Sequence, residues 1–315
     1  MHGILVMPAP TNDRERIAWL EARGEGIGAS EIAAALGISP WDSPFSLYWR
    51  KRLGGNVDES PQMEWGTRLE DAIAGKFVDA HPEVRVLPGG LYRHPEFDWM
   101  LATPDRIVVT EDGTEVLECK TATSDDDWGD EGTDEIPVYY RPQVMQQLDV
   151  MGLRRARIAV LIRGSIYREY VVDFDAEDAA LGRKAGEDMM RRIAFEDVPG
   201  IDGSVATTAM LKRLHPSLID DVVTVPADLA ERYKAAKERE RQAKADAAEA
   251  SNQILQVLGD FKNAVFGGER IAYRSVYDER RVNVTRLKAE RPDVYAEYAQ
   301  ISTVSKLVPA KEQSL

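Results

Sequence analysis

Residues 101–120, LATPDRIVVTEDGTEVLECK, constrain the fold most, because two alternating apolar runs stand on either side of an Asp112-Gly113 step. Asp-Gly between such runs is a strong signal for a tight hairpin. With the turn placed there, Glu111 faces Thr114, and counting back sets Asp105 opposite Lys120. Side chains alternate along a strand, so Asp105, Glu118 and Lys120 share one face while Leu117 and Cys119 take the other. Charge inside an apolar hairpin is costly unless it is paired or holds a metal. One reading is a solvated cross-strand salt bridge. The other is a small charged site, in which two carboxylates hold a hard cation with a carbonyl and waters. A lysine beside it could orient or deprotonate a water, or stabilise developing charge. Spacing alone favours the salt bridge, because such patterns are common by chance.

The rest of the chain says what surrounds that hairpin. A helix is expected from Thr11 or Asn12 as cap, followed by EIAAALG capped by Ser30, SPFSLYWRKRLGG ending in a Gly pair, and MEWGTRLEDAIAGKFVDAH. VRVLPGGLYRH reads as a pair of strands. The acidic stretch SDDDWGDEGTDEIP reads as a loop too polar to pack. YYRPQVMQQLDVMG is a helix stopped by Gly152, RARIAVLIRG and YREYVVDFD are paired strands, and AEDAALGRKAGEDMMRRIAFE is a closing helix. This order predicts an α+β (mixed α/β) fold with a central sheet covered by helices. Trp41, Trp49 and Trp65 are expected in the core rather than as platforms for bases.

Composition divides the chain: one domain over 1–200, a Gly/Ser/Thr-rich link over 201–227, and a mainly helical extension over 228–315 for partner or DNA contact. In the extension Leu229, Ala236, Ala243, Ala250 and Val257 recur every seven residues, which predicts a close-packed helical hairpin or short coiled coil. A Gly-Gly hairpin and a last helix capped by Thr285 follow. The net charge of −14 argues against a protein that coats nucleic acid. The surplus is uneven, since residues 212–315 carry 18 Lys/Arg and 16 Asp/Glu and the remainder carry 22 and 38. One cysteine, Cys119, excludes an internal disulfide and a four-cysteine zinc or iron–sulfur site within the chain. No run is apolar enough for a membrane span, and MHGILVMPAP lacks the basic start of a signal peptide, so the expected location is cytoplasmic.

TPDRIVV…LECK resembles the PD-(D/E)xK nuclease signature, with Asp105, Glu118 and Lys120 at its three positions. IGASEIAAALGISPWDSPFSLYWRKRLG resembles the opening of the YqaJ-like viral recombinase family, relatives of phage lambda exonuclease. MEWGTRLEDAIAGKF is similar to that family's W-G-x-x-x-E helix, and IPVYYRPQVMQQLDVMG to its later glutamine helix. Together these motifs cover roughly residues 14 to 200 in the family's order.

The resemblance implies a restriction-endonuclease-like sheet and a Mg²⁺-dependent exonuclease, with Mn²⁺ able to substitute. Such an enzyme digests one strand of linear duplex DNA from the 5′ end, for recombination with a single-strand annealing protein. Asp105, Glu118 and the Cys119 carbonyl would hold the metal, and Lys120 would be catalytic. Glu70 would assist the metal directly or through water, and Gln143 would orient the site or the scissile phosphate. Arg23 and Ser30 match positions that meet the terminal 5′-phosphate. The second polar position of the glutamine helix is Met145, a departure from the family pattern. Family analogy also implies a trimer around DNA ends and, if the chain is phage-encoded, the bacterial host cytoplasm. An endonuclease of the same superfamily, or a non-catalytic end-binding protein on the same fold, stays open as an alternative.

Overall fold

The computed structural model describes residues 2–54, 60–301, 304 and 307–309. The chain forms two compact units, Met1–Pro216 and Ser217–Leu315. The first unit begins with β1 (Ile4–Pro8), α1 (Asp13–Gly24) and β2 (Ile27–Gly28). A 3₁₀ turn over Ala29–Glu31 then runs into α2 (Ile32–Ala35), followed by α3 (Pro44–Leu53) and α4 (Pro61–Ala80). Next come β3 (Arg85–Pro88), β4 (Gly90–Arg93), β5 (Met100–Ala102), β6 (Arg106–Thr110) and β7 (Gly113–Ala122). The unit ends with α5 (Arg141–Met151), β8 (Arg155–Ile162), β9 (Ile166–Asp173), α6 (Ala176–Phe195) and α7 (Val205–Leu214). The fold is mixed α+β, as the order of elements implied.

The main sheet has the order β3-β6-β7-β8-β9. Only β7 and β8 run parallel, and α5 is the crossover that joins them. One face meets α4: Ile73, Ala74 and Phe77 pack with Val108, Leu117 and Ala159. Phe77 is fully buried there, and truncating such a side chain costs about 3–5 kcal/mol. The other face meets α5, through Ile107, Val116, Ile158 and Val160 against Val144 and Leu148. Alternation along β7 therefore turns Leu117 and Cys119 toward α4 and leaves Glu118 and Lys120 on the α5 side.

A second sheet has the order β1-β4-β5-β2. It corrects the expected β3–β4 pair, because β4 pairs with β1 and β5 while β3 pairs with β6. The chain crosses between sheets at Gly89, where a Cβ would stand 1.8 Å from Pro104 O. No side chain fits, so the Gly-Gly step is a close approach rather than a turn.

Helix starts follow capping chemistry. Asn12 caps α1, and Ser43 and Ser60 cap α3 and α4, each with proline in the first turn. Ser30 is not a cap; it lies inside the 3₁₀ turn, exposed, and Gly28 and Glu31 hold that helix start. Gly54 closes α3 in the left-handed region, and Gly55 lies outside the described residues. Gly152 stops α5 in the same conformation. The acidic stretch is anchored rather than free: Trp128 and Ile136 enter the core, and Gly132 and Thr133 hydrogen-bond to β9. The stretch read as a link contains α7, whose Thr207 Oγ1 lies 2.8 Å from Ser43 Oγ.

The second unit contains α8 (Ala227–Leu258), the hairpin β10 (Asn263–Phe266) and β11 (Glu269–Tyr273), α9 (Val284–Glu290) and α10 (Pro292–Tyr298). Gly267 and Gly268 both have positive φ, as a tight hairpin requires. The α8 stripe stays exposed at Leu229, Ala236, Ala243, Ala250 and Val257, so the helical hairpin expected from it does not form among the described residues. Asn283, not Thr285, caps α9, and Pro292 splits the expected last helix in two. No described helix is long and apolar enough to cross a membrane.

Candidate active site

Asp105 ends the turn into β6, and Glu118 and Lys120 lie on β7. The strands are paired one residue earlier on each side than expected: Thr110 faces Gly113 and Arg106 faces Leu117. The turn therefore centres on Glu111 and Asp112, and continuing the register puts Asp105 across from Glu118 rather than Lys120. A two-residue shift keeps every side chain on its face, so the three charged groups still converge. Asp105 Oδ2 accepts from Cys119 N at 2.7 Å, which draws the carboxylate onto β7.

Glu118 is only 3% exposed, yet both its oxygens are engaged. Lys120 Nζ donates to Oε1 at 2.6 Å, Gln143 Nε2 also donates to Oε1, and Gln147 Nε2 donates to Oε2 at 2.7 Å. Lys120 donates a further bond to Gln143 Oε1 at 3.1 Å, and its ammonium lies 4.9 Å from the centre of the Tyr140 ring. Burial works against that ammonium, but the charges of Glu118 and Asp105 outweigh it and hold the Lys120 pKa above the ordinary lysine value. Burial raises the Asp105 carboxyl well above the usual range, and repulsion from Glu118 and Glu70 adds to the effect.

Glu70 is turned onto Arg106, whose Nη1 reaches Glu70 Oε1 at 2.5 Å and Asp105 O at 2.6 Å. Arg106 also bonds Asp71, so one guanidinium ties α4 to the backbone of Asp105. Sequence reading passed over Arg106, Gln147 and Tyr140. The signals were present: Arg106 follows the motif aspartate, and Gln147 lies one helical turn beyond Gln143. Met145, the departure from the family pattern, is fully buried in the core and takes no part in the polar network around Glu118.

The chemistry of this donor set suits a hard cation. Half-buried Asp105 lies across from buried Glu118 in the strand register, the Cys119 carbonyl follows Glu118 on β7, and the buried Gln147 Oε1 has no hydrogen-bond partner among the described residues. Among the described residues no three His, Cys, Asp or Glu side chains form a metal-holding group, so backbone oxygen and water would complete the coordination.

Arg23 and Ser30 come together, with Arg23 Nη2 donating to Ser30 Oγ. The Trp19 ring lies against the guanidinium, 5.4 Å away. Behind them Glu31 accepts from Gly28 N at 2.8 Å and pairs with Lys51 at 2.8 Å and Arg50 at 3.4 Å. Burial alone would raise Glu31, but Lys51, Arg23 and Arg50 outweigh it and hold its pKa below the ordinary value. Burial pulls Lys51 down, and Glu31 only partly offsets that. Strand β2, just before Ser30, runs parallel to β5, just before Asp105. Gln146 Nε2 donates to Ile27 O at 2.8 Å and to Leu101 O at 2.9 Å. Helix α5 thus holds Glu118 through two glutamines and the β2–β5 junction through a third.

Residues 18–154 match the model of the YqaJ-like viral recombinase domain. The uncharacterized protein YqaJ of Bacillus subtilis (strain 168) is 30% identical over 299 residues, covering 91% of this chain and 92% of that protein. Among solved structures, the alkaline exonuclease LHK-Exo from Laribacter hongkongensis is 16% identical, with a TM-score of 0.47 over 64% of this chain and all of that one. Its complex with dAMP is 17% identical, with a TM-score of 0.45 over 64% of this chain and 98% of that one. On the near-full-length relative and the matched domain, the chain belongs to the YqaJ-like viral recombinase family.

Proposed function

We propose that the protein is a divalent-metal-dependent DNA exonuclease of phage-type recombination. It would digest one strand of a linear duplex from the 5′ end and leave the other for a single-strand annealing protein. The observation that carries this reading is the network that Lys120, Gln143 and Gln147 form on Glu118, with the Asp105 carboxylate held beside it by Cys119 N, in a member of a recombinase family. Asp105, Glu118 and the Cys119 carbonyl would hold Mg²⁺, or Mn²⁺ in its place, with Glu70 assisting through a water. When bound, such an ion lowers the pKa of a water and neutralises charge on a phosphoryl oxygen.

The remaining work falls to the chain's own side chains. The Lys120 ammonium would stabilise the negative charge that develops on the phosphate. Gln143 and Gln147 fix the Glu118 carboxylate so that its geometry does not relax when DNA arrives. Arg23 and Ser30 would hold the terminal 5′-phosphate, since a guanidinium offers a bidentate charge-assisted contact. On the family resemblance, the enzyme would assemble as a trimer around the duplex.

Duplexes labelled at either the 5′ or the 3′ end test the reading. With Mg²⁺, 5′-labelled mononucleotide should appear first, and EDTA should stop the reaction. Cleavage within covalently closed circles would instead favour an endonuclease.

A further inference from the structure

Trp65, expected in the core, is 60% exposed, and Trp41, also expected there, is 65% exposed. It is also held in place. Trp41 N and Asp42 N both donate to Ser39 Oγ, at 3.3 and 3.2 Å. Asp42 pairs with Arg50 at 2.7 Å, which fastens the loop to α3. The indole meets Tyr139 edge-on at 4.9 Å between ring centroids and lies 5.9 Å from Tyr140. Tyr140 is the ring that lies 4.9 Å from Lys120 Nζ. Val138 beside them is exposed as well. An aromatic ladder therefore leads from solvent to the lysine of the candidate active site, on a braced loop.

A large exposed indole loses favourable hydration entropy unless something covers it. The ladder's inner end fixes what that something is, because the group that reaches Lys120 is a phosphodiester and each phosphodiester carries a base. Every base has a π-face, so stacking needs no particular sequence, as an exonuclease that digests any strand requires. We propose that Trp41, braced by Tyr139 and Tyr140, is a stacking platform for an unpaired base of the DNA strand entering at Lys120. This rests on the nuclease reading, and it adds a binding role for three residues outside the charged motif.

The test uses 5′-phosphorylated duplexes with two unpaired nucleotides at the 5′ end, carrying either normal bases or abasic residues at those positions. Binding is read by fluorescence anisotropy in EDTA, and hydrolysis separately with Mg²⁺. Removing the bases should weaken binding to wild type about tenfold, the size of one base–aromatic stack. Trp41→Ala should bind the normal duplex about tenfold more weakly and no longer distinguish it from the abasic one. Trp41→Phe, which keeps a ring, should retain most of the discrimination. The position is exposed, so a wild-type thermal transition in both variants separates lost stacking from lost fold. Wild-type affinity in Trp41→Ala, or undiminished discrimination by it, overturns the platform. Discrimination in the binding arm without hydrolysis in the Mg²⁺ arm upholds the platform and sinks the nuclease reading instead.

Discussion

Gln147 holds Glu118: its Nε2 donates to Glu118 Oε2 at 2.7 Å, and both residues are buried. Gln143 takes the other oxygen from one helical turn earlier. A buried carboxylate with both oxygens occupied by fixed donors has a defined direction before any ligand arrives. Outer partners of this kind are worth roughly 10–100-fold in metal affinity or activity. Gln147→Ala should therefore lower kcat/KM for duplex digestion about tenfold or more in the folded enzyme, beside a stability loss of about 1–3 kcal/mol for the buried oxygen left without its donor. Steady-state kinetics on end-labelled duplex check this, and an unchanged kcat/KM would show that Glu118 needs only Lys120 and Gln143.

Gly89 controls Asp105 through the backbone. Gly89 N donates to Asp105 O at 3.1 Å, and a Cβ would collide with Pro104 O. Gly89→Ala should destabilise the protein by about 2 kcal/mol or more, because backbone must shift to admit the methyl group. Activity should fall further than stability alone explains, since the shift passes straight to Asp105. Urea unfolding checks the first effect, and kinetics well below the unfolding midpoint check the second. A neutral substitution would mean that the crossover between sheets is looser than this packing implies.

Glu31 neutralises a cluster of cations largely removed from solvent. Removing one partner of a buried ion pair costs about 3–5 kcal/mol, because the other charges stay buried without compensation. Glu31→Gln should cost about that much at pH 7. Cations hold Glu31 below its ordinary pKa of 4.5, so its contribution is complete above that value and is lost as pH falls beneath it. The gap between wild type and variant should accordingly be wide at pH 7 and narrow below pH 4.5. Denaturant melts across that range measure it. A gap independent of pH would show that the effect is one of shape and not of charge.

Arg23 and Ser30 lie seven residues apart and share a hydrogen bond, and the proposed function gives them the terminal phosphate. A charge-assisted contact is worth about 1.5–3 kcal/mol, or roughly ten- to a hundredfold in rate. Wild type should digest 5′-phosphorylated ends faster than 5′-hydroxyl ends by that factor. Arg23→Ala should lose most of the preference by slowing the phosphorylated substrate. A preference undiminished in the variant would place the pocket elsewhere.

The charged motif was legible because strands have a period of two. The assumed turn was misplaced by one residue on each side, yet Asp105, Glu118 and Lys120 kept their common face. The α+β layout and the stops at Gly152 and Gly267-Gly268 were legible for similarly local reasons. Tertiary relationships were not. Gly89 looks like half of an ordinary turn until Pro104 is packed against it. Gln146 and Gln147 are adjacent in sequence but point to different strands, and no periodicity reveals which. Trp128 sits in the most acidic stretch and is nevertheless core, while Trp41 follows an apolar helix and is exposed, because burial depends on what the fold brings over a residue. The alanine stripe of α8 has helical spacing, but spacing cannot supply a partner.

The most direct test of the account compares wild type with Lys120→Ala on linear and covalently closed duplex DNA, with Mg²⁺ and with EDTA, after thermal melts have established that both are folded. The account predicts that wild type with Mg²⁺ consumes the linear duplex and spares the circle. It predicts no digestion in EDTA, and none by Lys120→Ala under any condition. Digestion by the folded variant at the wild-type rate, or by wild type in EDTA, would contradict the assignment of Asp105, Glu118 and Lys120 as the metal-dependent active site.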